Sequence, residues 1–226
     1  MPPKRLARIA GLIYLLWIVC GLFATSVRAS VFVPGDAAAT AANIRDSATL
    51  IRYSFFADLV TAVPSLVLVM ILYMLFRQIS QPAAAAMVVF FAVQAIETLN
   101  LLNQYTALIV ATGDAYQRAF GEAGADGLAL LFSEMHHIGY RMGGAYFGAW
   151  LVPLGYLVIK SGYLPKVLGV LLIIGSLGYF ALEAVTFLAP GAPDAVTAVL
   201  VAMGGIPEIL LMLWLVIMGA RVPSGG

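Results

Sequence analysis

Ionisable side chains interrupt the apolar stretches of this chain at Asp58, Glu97, Glu134, His136, His137, Arg141, Glu183 and Glu208, and Asn100 follows Glu97 by one helical turn. Carboxylates and imidazoles in apolar surroundings bind a proton, hold a cation or pair with a counter-ion, because a lone charge there is costly. Arg141 is the one basic residue well inside this set, with Arg52 near its rim, so acid is in excess. That excess points to an outward-facing site that takes a cation, a proton-coupled solute or a lipid head group. Asp58, Glu97, Asn100, Glu183 and Glu208 would line it, with Arg141 as counter-ion. Glu134, His137 and Arg141 are spaced three and four apart and share a helix face, while His136 points about 100° away. Glu-x-x-His also occurs in dimetal carboxylate bundles, which use two such pairs where this chain has one. A divalent metal at Glu134, His136 and His137 is therefore the alternative chemistry. The bland reading places these three in the outer head-group region and makes Asp58, Glu183 and Arg141 a packing network.

The elements that must position these groups follow from composition. Of 226 residues, 62% are hydrophobic and 10% charged, with a mean hydropathy of +0.99. A water-facing surface needs roughly a quarter charged residues, so a soluble globular enzyme is excluded. The net charge of +1 comes without a basic run, which excludes nucleic acid as a partner. The partner is the lipid bilayer. Apolar stretches run from Ile9 to Val27, Tyr53 to Phe76, Pro82 to Thr112, Leu128 to Ile159, Leu164 to Leu188 and Val196 to Ala220. Each is long enough to span as a helix, the form that satisfies its own backbone in lipid. The expected fold is all-α: one domain of six transmembrane helices over residues 1–226.

Orientation follows from the basic residues. Lys4, Arg5, Arg8, Arg77, Lys160, Lys166 and Arg221 fall on one side of a six-span chain, and Asp36, Asp46, Asp114, Glu122, Asp126 and Asp194 on the other. The positive-inside rule then places both termini in the cytoplasm, with the chain in the inner membrane. Lys4, Arg5 and Arg8 followed by an apolar run and Val27-Arg28-Ala29 also fit a cleaved signal. The run is longer than most signal cores, so retention as helix one is expected. Gly35-Asp36 before an alanine-rich segment predicts a short capped helix in the first outer loop, and Asp126 and Asp194 are placed to cap helices four and six. Gly204-Gly205-Ile206-Pro207 predicts a kink or break just before Glu208. Gly143, Gly144, Gly148, Gly155, Gly169 and Gly175 are expected at close helix contacts. Trp17, Trp150 and Trp214 are expected to face lipid or anchor at the interface, and Cys20 to be inert.

Several segments resemble one family. They are Arg8-Ile9-Ala10-Gly11-Leu12-Ile13-Tyr14, Pro34-Gly35-Asp36 with Thr40 and Asn43-Ile44, Leu72-Tyr73 with Leu75-Phe76-Arg77, and Ser161 to Leu172 with Gly178-Tyr179. Together they resemble the bacterial integral-membrane family catalogued as domain of unknown function 4386. The stretch from Gln94 to Arg141 resembles it least. The resemblance implies a bacterial protein of about six spans and transfers no activity or catalytic residue.

No Gly-x-Ser-x-Gly, Walker or His-Glu-x-x-His motif occurs. Three functions stay open on these residues. One is a binding or transport protein built on the acidic site. The second is an intramembrane metal-dependent enzyme acting on lipid or an embedded substrate. The third is a non-catalytic assembly subunit whose buried charges set helix register.

Overall fold

The computed structural model describes residues 2–93 and 95–221; the side chains of residues 95–98 lie outside the description, and with them the carboxylate of Glu97. The described chain forms α1 (Pro3–Val31), α2 (Ala37–Asp46), α3 (Ala48–Phe76), α4 (Gln81–Val93), α5 (Ala95–Thr112), α6 (Asp114–Ser161), α7 (Lys166–Leu188) and α8 (Asp194–Ile217). Five of these, α1, α3, α6, α7 and α8, are long and apolar enough to cross a membrane. The third apolar stretch corresponds to α4 and α5, with Gln94 between them outside the described residues. The all-helical, multi-span character of the chain follows directly.

The short helix of the first loop is α2. Gly35 turns the chain at φ +75°, a conformation that favours a residue without Cβ. Asp36 then accepts the Ala39 amide at 2.9 Å as the N-cap. The Thr40 hydroxyl closes the loop on both backbone groups of Val33, donating to its carbonyl at 3.0 Å and accepting from its amide at 3.1 Å.

Other local expectations need correction. Asp126 caps no helix, because α6 begins at Asp114 and passes a non-helical Gly121 (φ 73°, ψ 165°) before reaching it. The Asp194 side chain makes no cap bond at the start of α8; Pro193 occupies that position. The helix is not broken at Pro207: α8 continues from Asp194 to Ile217. Proline frees the carbonyl four residues earlier, that of Met203. This oxygen lies 3.2 Å from the position a Cβ would take on Gly175, so glycine on α7 admits the altered backbone. Trp150 is neither lipid-facing nor an anchor. It is fully buried, edge-on to the rings of Tyr14 at 6.1 Å and Phe91 at 5.1 Å.

The chain groups into two compact units. One comprises Met1–Leu16, Pro64–Gln94 and Arg141–Gly226; the other comprises Trp17–Val63 and Ala95–Tyr140. Helices α1, α3 and α6 contribute residues to both. The second unit is built around Val27, Ile44, Ile51, Leu108, Ala125 and Ala129. The first is held by glycine seams. A Cβ on Gly155 would lie 2.7 Å from the Gly169 carbonyl oxygen, and one on Gly11 would lie 2.6 Å from the Val216 amide nitrogen. Lipid is as apolar as a leucine, so close van der Waals contact rather than water exclusion holds such helices together.

Alanine at Gly155 must therefore push two backbones apart. Overpacking of this kind costs about 1–3 kcal/mol. Gly155→Ala is expected to lower the thermal unfolding midpoint in detergent, while Gly21→Ala, where a Cβ meets nothing within 4 Å, leaves it unchanged or raises it. Equal midpoints for parent and Gly155→Ala would remove the seam from the account of stability.

Candidate functional site

The first unit encloses one carboxylate almost completely. Glu208 is 6% exposed and sits on α8 immediately after Pro207. Tyr14 of α1, itself fully buried, donates its phenolic hydrogen to Oε2, and Tyr179 of α7 donates to Oε1 at 2.7 Å. Each carboxylate oxygen thus accepts from one phenol, and the phenols come from two different helices. Their rings are fixed in turn. Trp150 meets the ring of Tyr14 edge-on, and Phe147 stacks on that of Tyr179 at 5.8 Å. Gly204, one turn before Glu208, lies beneath the Tyr179 ring, where a Cβ would approach it to 3.0 Å. Gly204 thus makes room for the clamp, whereas a Cβ on Gly205 would meet nothing within 4 Å.

This arrangement has a definite chemistry. A carboxylate only accepts hydrogen bonds, whereas a carboxylic acid also donates one. Proton uptake by Glu208 therefore requires one of the two phenols to reverse its hydrogen bond. Charge state and phenol orientation are coupled.

Glu183 lies one turn beyond Tyr179 on α7. Its Oε1 occupies the space over Gly144 of α6, 2.1 Å from where a Cβ would stand. Its Oε2 is buried without a hydrogen-bond partner among the described residues, and Arg141 attracts the carboxylate electrostatically. Arg141 is half-buried.

The second unit places the other expected site residues. Asp58 of α3 is bonded to Arg28 of α1, which also donates to the Thr25 hydroxyl at 3.0 Å and lies 5.2 Å from the centre of the Tyr140 ring. Asn100 and His136 clasp each other. The Asn100 side-chain amide donates to the His136 carbonyl at 2.8 Å, and His136 Nδ1 donates to the Asn100 carbonyl at 3.0 Å. That bond assigns the ring hydrogen to Nδ1 and leaves the Nε2 lone pair buried without a partner among the described residues. Asn103 donates to the Asn100 side-chain oxygen at 3.0 Å. His137 is exposed and stacked on Phe32 at 5.4 Å, and Glu134 is half-buried. Among the described residues no group of three or more His, Cys, Asp or Glu gathers as a metal site. Asp126 joins Arg45 of α2 at 2.8 Å. The Asp126 hydrogen bond lifts the guanidinium above its ordinary value, so this clip stays ionised.

The family model described as domain of unknown function DUF4386 matches residues 9–219. The chain is a member of the DUF4386 family. Within curated proteins, this DUF4386 chain is 40% identical over 81 residues to an "Uncharacterized protein" of Archaeoglobus fulgidus, covering 36% of this chain and 46% of that one. The chain thus matches less than half of the length of that archaeal relative. No solved structure matches it. Tyr14, Tyr179 and Arg28 are the partners that the spacing of charges did not reveal. Both tyrosines lie in segments that carry the DUF4386 resemblance, and that was the available signal. Arg28 lay hidden in what resembled a signal cleavage site.

The Arg28–Asp58 pair is largely enclosed, with side-chain exposures of 15% and 17%. Its loss falls between the ~0–1 kcal/mol of a surface pair and the ~3–5 kcal/mol of breaking a buried one. A double-mutant cycle of Arg28→Met and Asp58→Asn on unfolding in detergent is expected to return a coupling of about 2 kcal/mol. Additive effects would mean the two side chains do not support each other.

Proposed function

We propose that this DUF4386 protein binds a proton at Glu208 and couples that proton to a small solute or cation taken from the outer side. The observation that carries this reading is the two-phenol clamp on a carboxylate enclosed in apolar helices. Carboxylates kept for packing alone are neutralised by a guanidinium, as Asp58 and Asp126 are. Glu208 instead has two neutral donors, so a proton changes its charge without breaking an ion pair. Intramembrane carboxyls that neither pair nor reach water serve proton or ion binding. The setting we propose is a six-span protein of the bacterial cytoplasmic membrane with both termini inside, supported by the one-sided distribution of Lys and Arg. In that orientation the acidic groups lie toward the outer side.

Infrared difference spectroscopy of the purified protein in liposomes, between acid and alkaline buffer, tests the assignment. The parent is expected to show the carbonyl band of a neutral carboxylic acid appearing with acid, and Glu208→Gln is expected to lack it while folding normally. Tyr14→Phe and Tyr179→Phe each remove one donor to the carboxylate. Both are expected to move the midpoint of that band to higher pH, because the charged form loses a hydrogen bond. An unchanged difference spectrum in Glu208→Gln would overturn the proposal.

A further inference from the structure

The first unit also carries a groove. Phe91 of α4 and Trp150 of α6 join these helices edge-on at 5.1 Å. Beside that contact lies a trough of about 510 Å³, within the ~300–1,000 Å³ of ligand pockets. Ala83, Ala86 and Phe90 of α4 form one wall, and Ala149, Val152 and Tyr156 of α6 the other. Phe180 of α7 closes one end, its ring 3.3 Å from where a Cβ would stand on Gly148. The alanines give the trough its depth, and the exposed Phe90, Val152, Tyr156 and Phe180 leave it open toward lipid. Its other end is marked by charge. Lys160 follows Tyr156 by one turn on the same face of α6, and Lys166 shares a face of α7 with Phe180. Both lysines are exposed. Arg221 joins the turn between them, its backbone amide donating to the Tyr163 carbonyl at 2.8 Å. No acidic residue lies in the segment 160–166, and the first turn of α7 has neither an acidic side chain nor a side-chain cap. An anion at this end therefore meets cations and the positive start of a helix.

We infer that this groove holds an acidic phospholipid, with one acyl chain between α4 and α6 and the phosphate at Lys160 and Lys166. Length supports the assignment. From Lys160 back to Gly148 is twelve residues, ~18 Å of helix, and one leaflet is half of a hydrocarbon core ~30 Å thick. The apolar trough thus has the depth of a single leaflet and carries its cations where the head groups of that leaflet lie. A second copy of this chain is a poorer occupant. Its helices would cross both leaflets, and a symmetric pairing would bring the lysines of the two copies together. Basic sites between transmembrane helices take acidic head groups on the cytoplasmic side, the side on which these lysines fall in the orientation proposed above. The inference does not rest on Glu208.

Native mass spectrometry tests the site. Protein is taken into mild detergent from liposomes of equal phosphatidylcholine and phosphatidylglycerol, and the lipid that stays bound is identified. The parent is expected to keep one phosphatidylglycerol per chain in preference to phosphatidylcholine. Lys160→Gln combined with Lys166→Gln is expected to lower the fraction carrying phosphatidylglycerol about tenfold, because each cation near the head group strengthens binding severalfold. Ala86→Leu fills the trough and leaves the lysines in place, and is expected to lower that fraction as well. Equal retention of the two lipids by the parent, or parent-like retention in either variant, overturns the site. A dimer of the parent that Ala86→Leu dissociates overturns it too, by assigning the trough to a second copy. Should Ala86→Leu fail to fold, the lysine variant, changed only at exposed side chains, decides alone.

Discussion

A carboxylate surrounded by hydrocarbon has no water to turn to, so every hydrogen bond it makes must come from its own chain. That constraint organises the first unit around Glu208. Two tyrosines from separate helices must reach one side chain, and each ring needs a wall of its own. Trp150 and Phe147 supply those walls, and Gly204 clears the floor beneath Tyr179. Pro207 adds a freed carbonyl at Met203, which Gly175 accommodates on the neighbouring helix. The glycines and the proline around Glu208 thus serve one geometric purpose.

The second unit solves the same electrostatic problem by another route. Asp58 meets Arg28, and Asp126 meets Arg45. An ion pair fixes both charges at once, because removing either leaves the other exposed to the apolar surroundings. Phenols impose no such lock, since they hold a carboxylate without matching its charge. The clasp between Asn100 and His136 is a third solution, in which each backbone carbonyl is satisfied by the other residue's side chain and the imidazole is set in one tautomer. The three arrangements are thereby distinguished by the chemistry of the partners rather than by depth alone.

Much of the helical framework was legible in the sequence because lipid imposes length and apolarity on each span. The Asp36 cap and the loop helix were legible for a local reason: a cap involves residues only three apart. The partners of the buried acids were not. Tyr14 and Glu208 are separated by 194 residues, and no periodicity within a helix reports on such a pairing. Charge counting favoured Arg141 as the counter-ion, since it lies deep within an apolar stretch. It missed Arg28, which lies near the end of a stretch that also resembled a signal. Asp126 misled for a related reason. An aspartate ahead of an apolar run reads as a cap, but α6 begins twelve residues earlier, at Asp114, and leaves Asp126 free to reach Arg45. Trp150 shows the limit of composition rules, because a tryptophan among glycines and alanines packs inward as readily as outward.

The bond between Arg28 and Asp58 joins side chains thirty positions apart on α1 and α3. It has a consequence for biogenesis. A charge presented singly to apolar surroundings is costly, so each of the two helices is better accommodated in the bilayer beside the other. Because α1 precedes α3 in the chain, its arginine has no partner until α3 follows. Entering lipid together, with α2 at the turn between them, they present these two charges as a matched pair. The ion pair thus favours joint insertion of α1 and α3 over insertion of either alone.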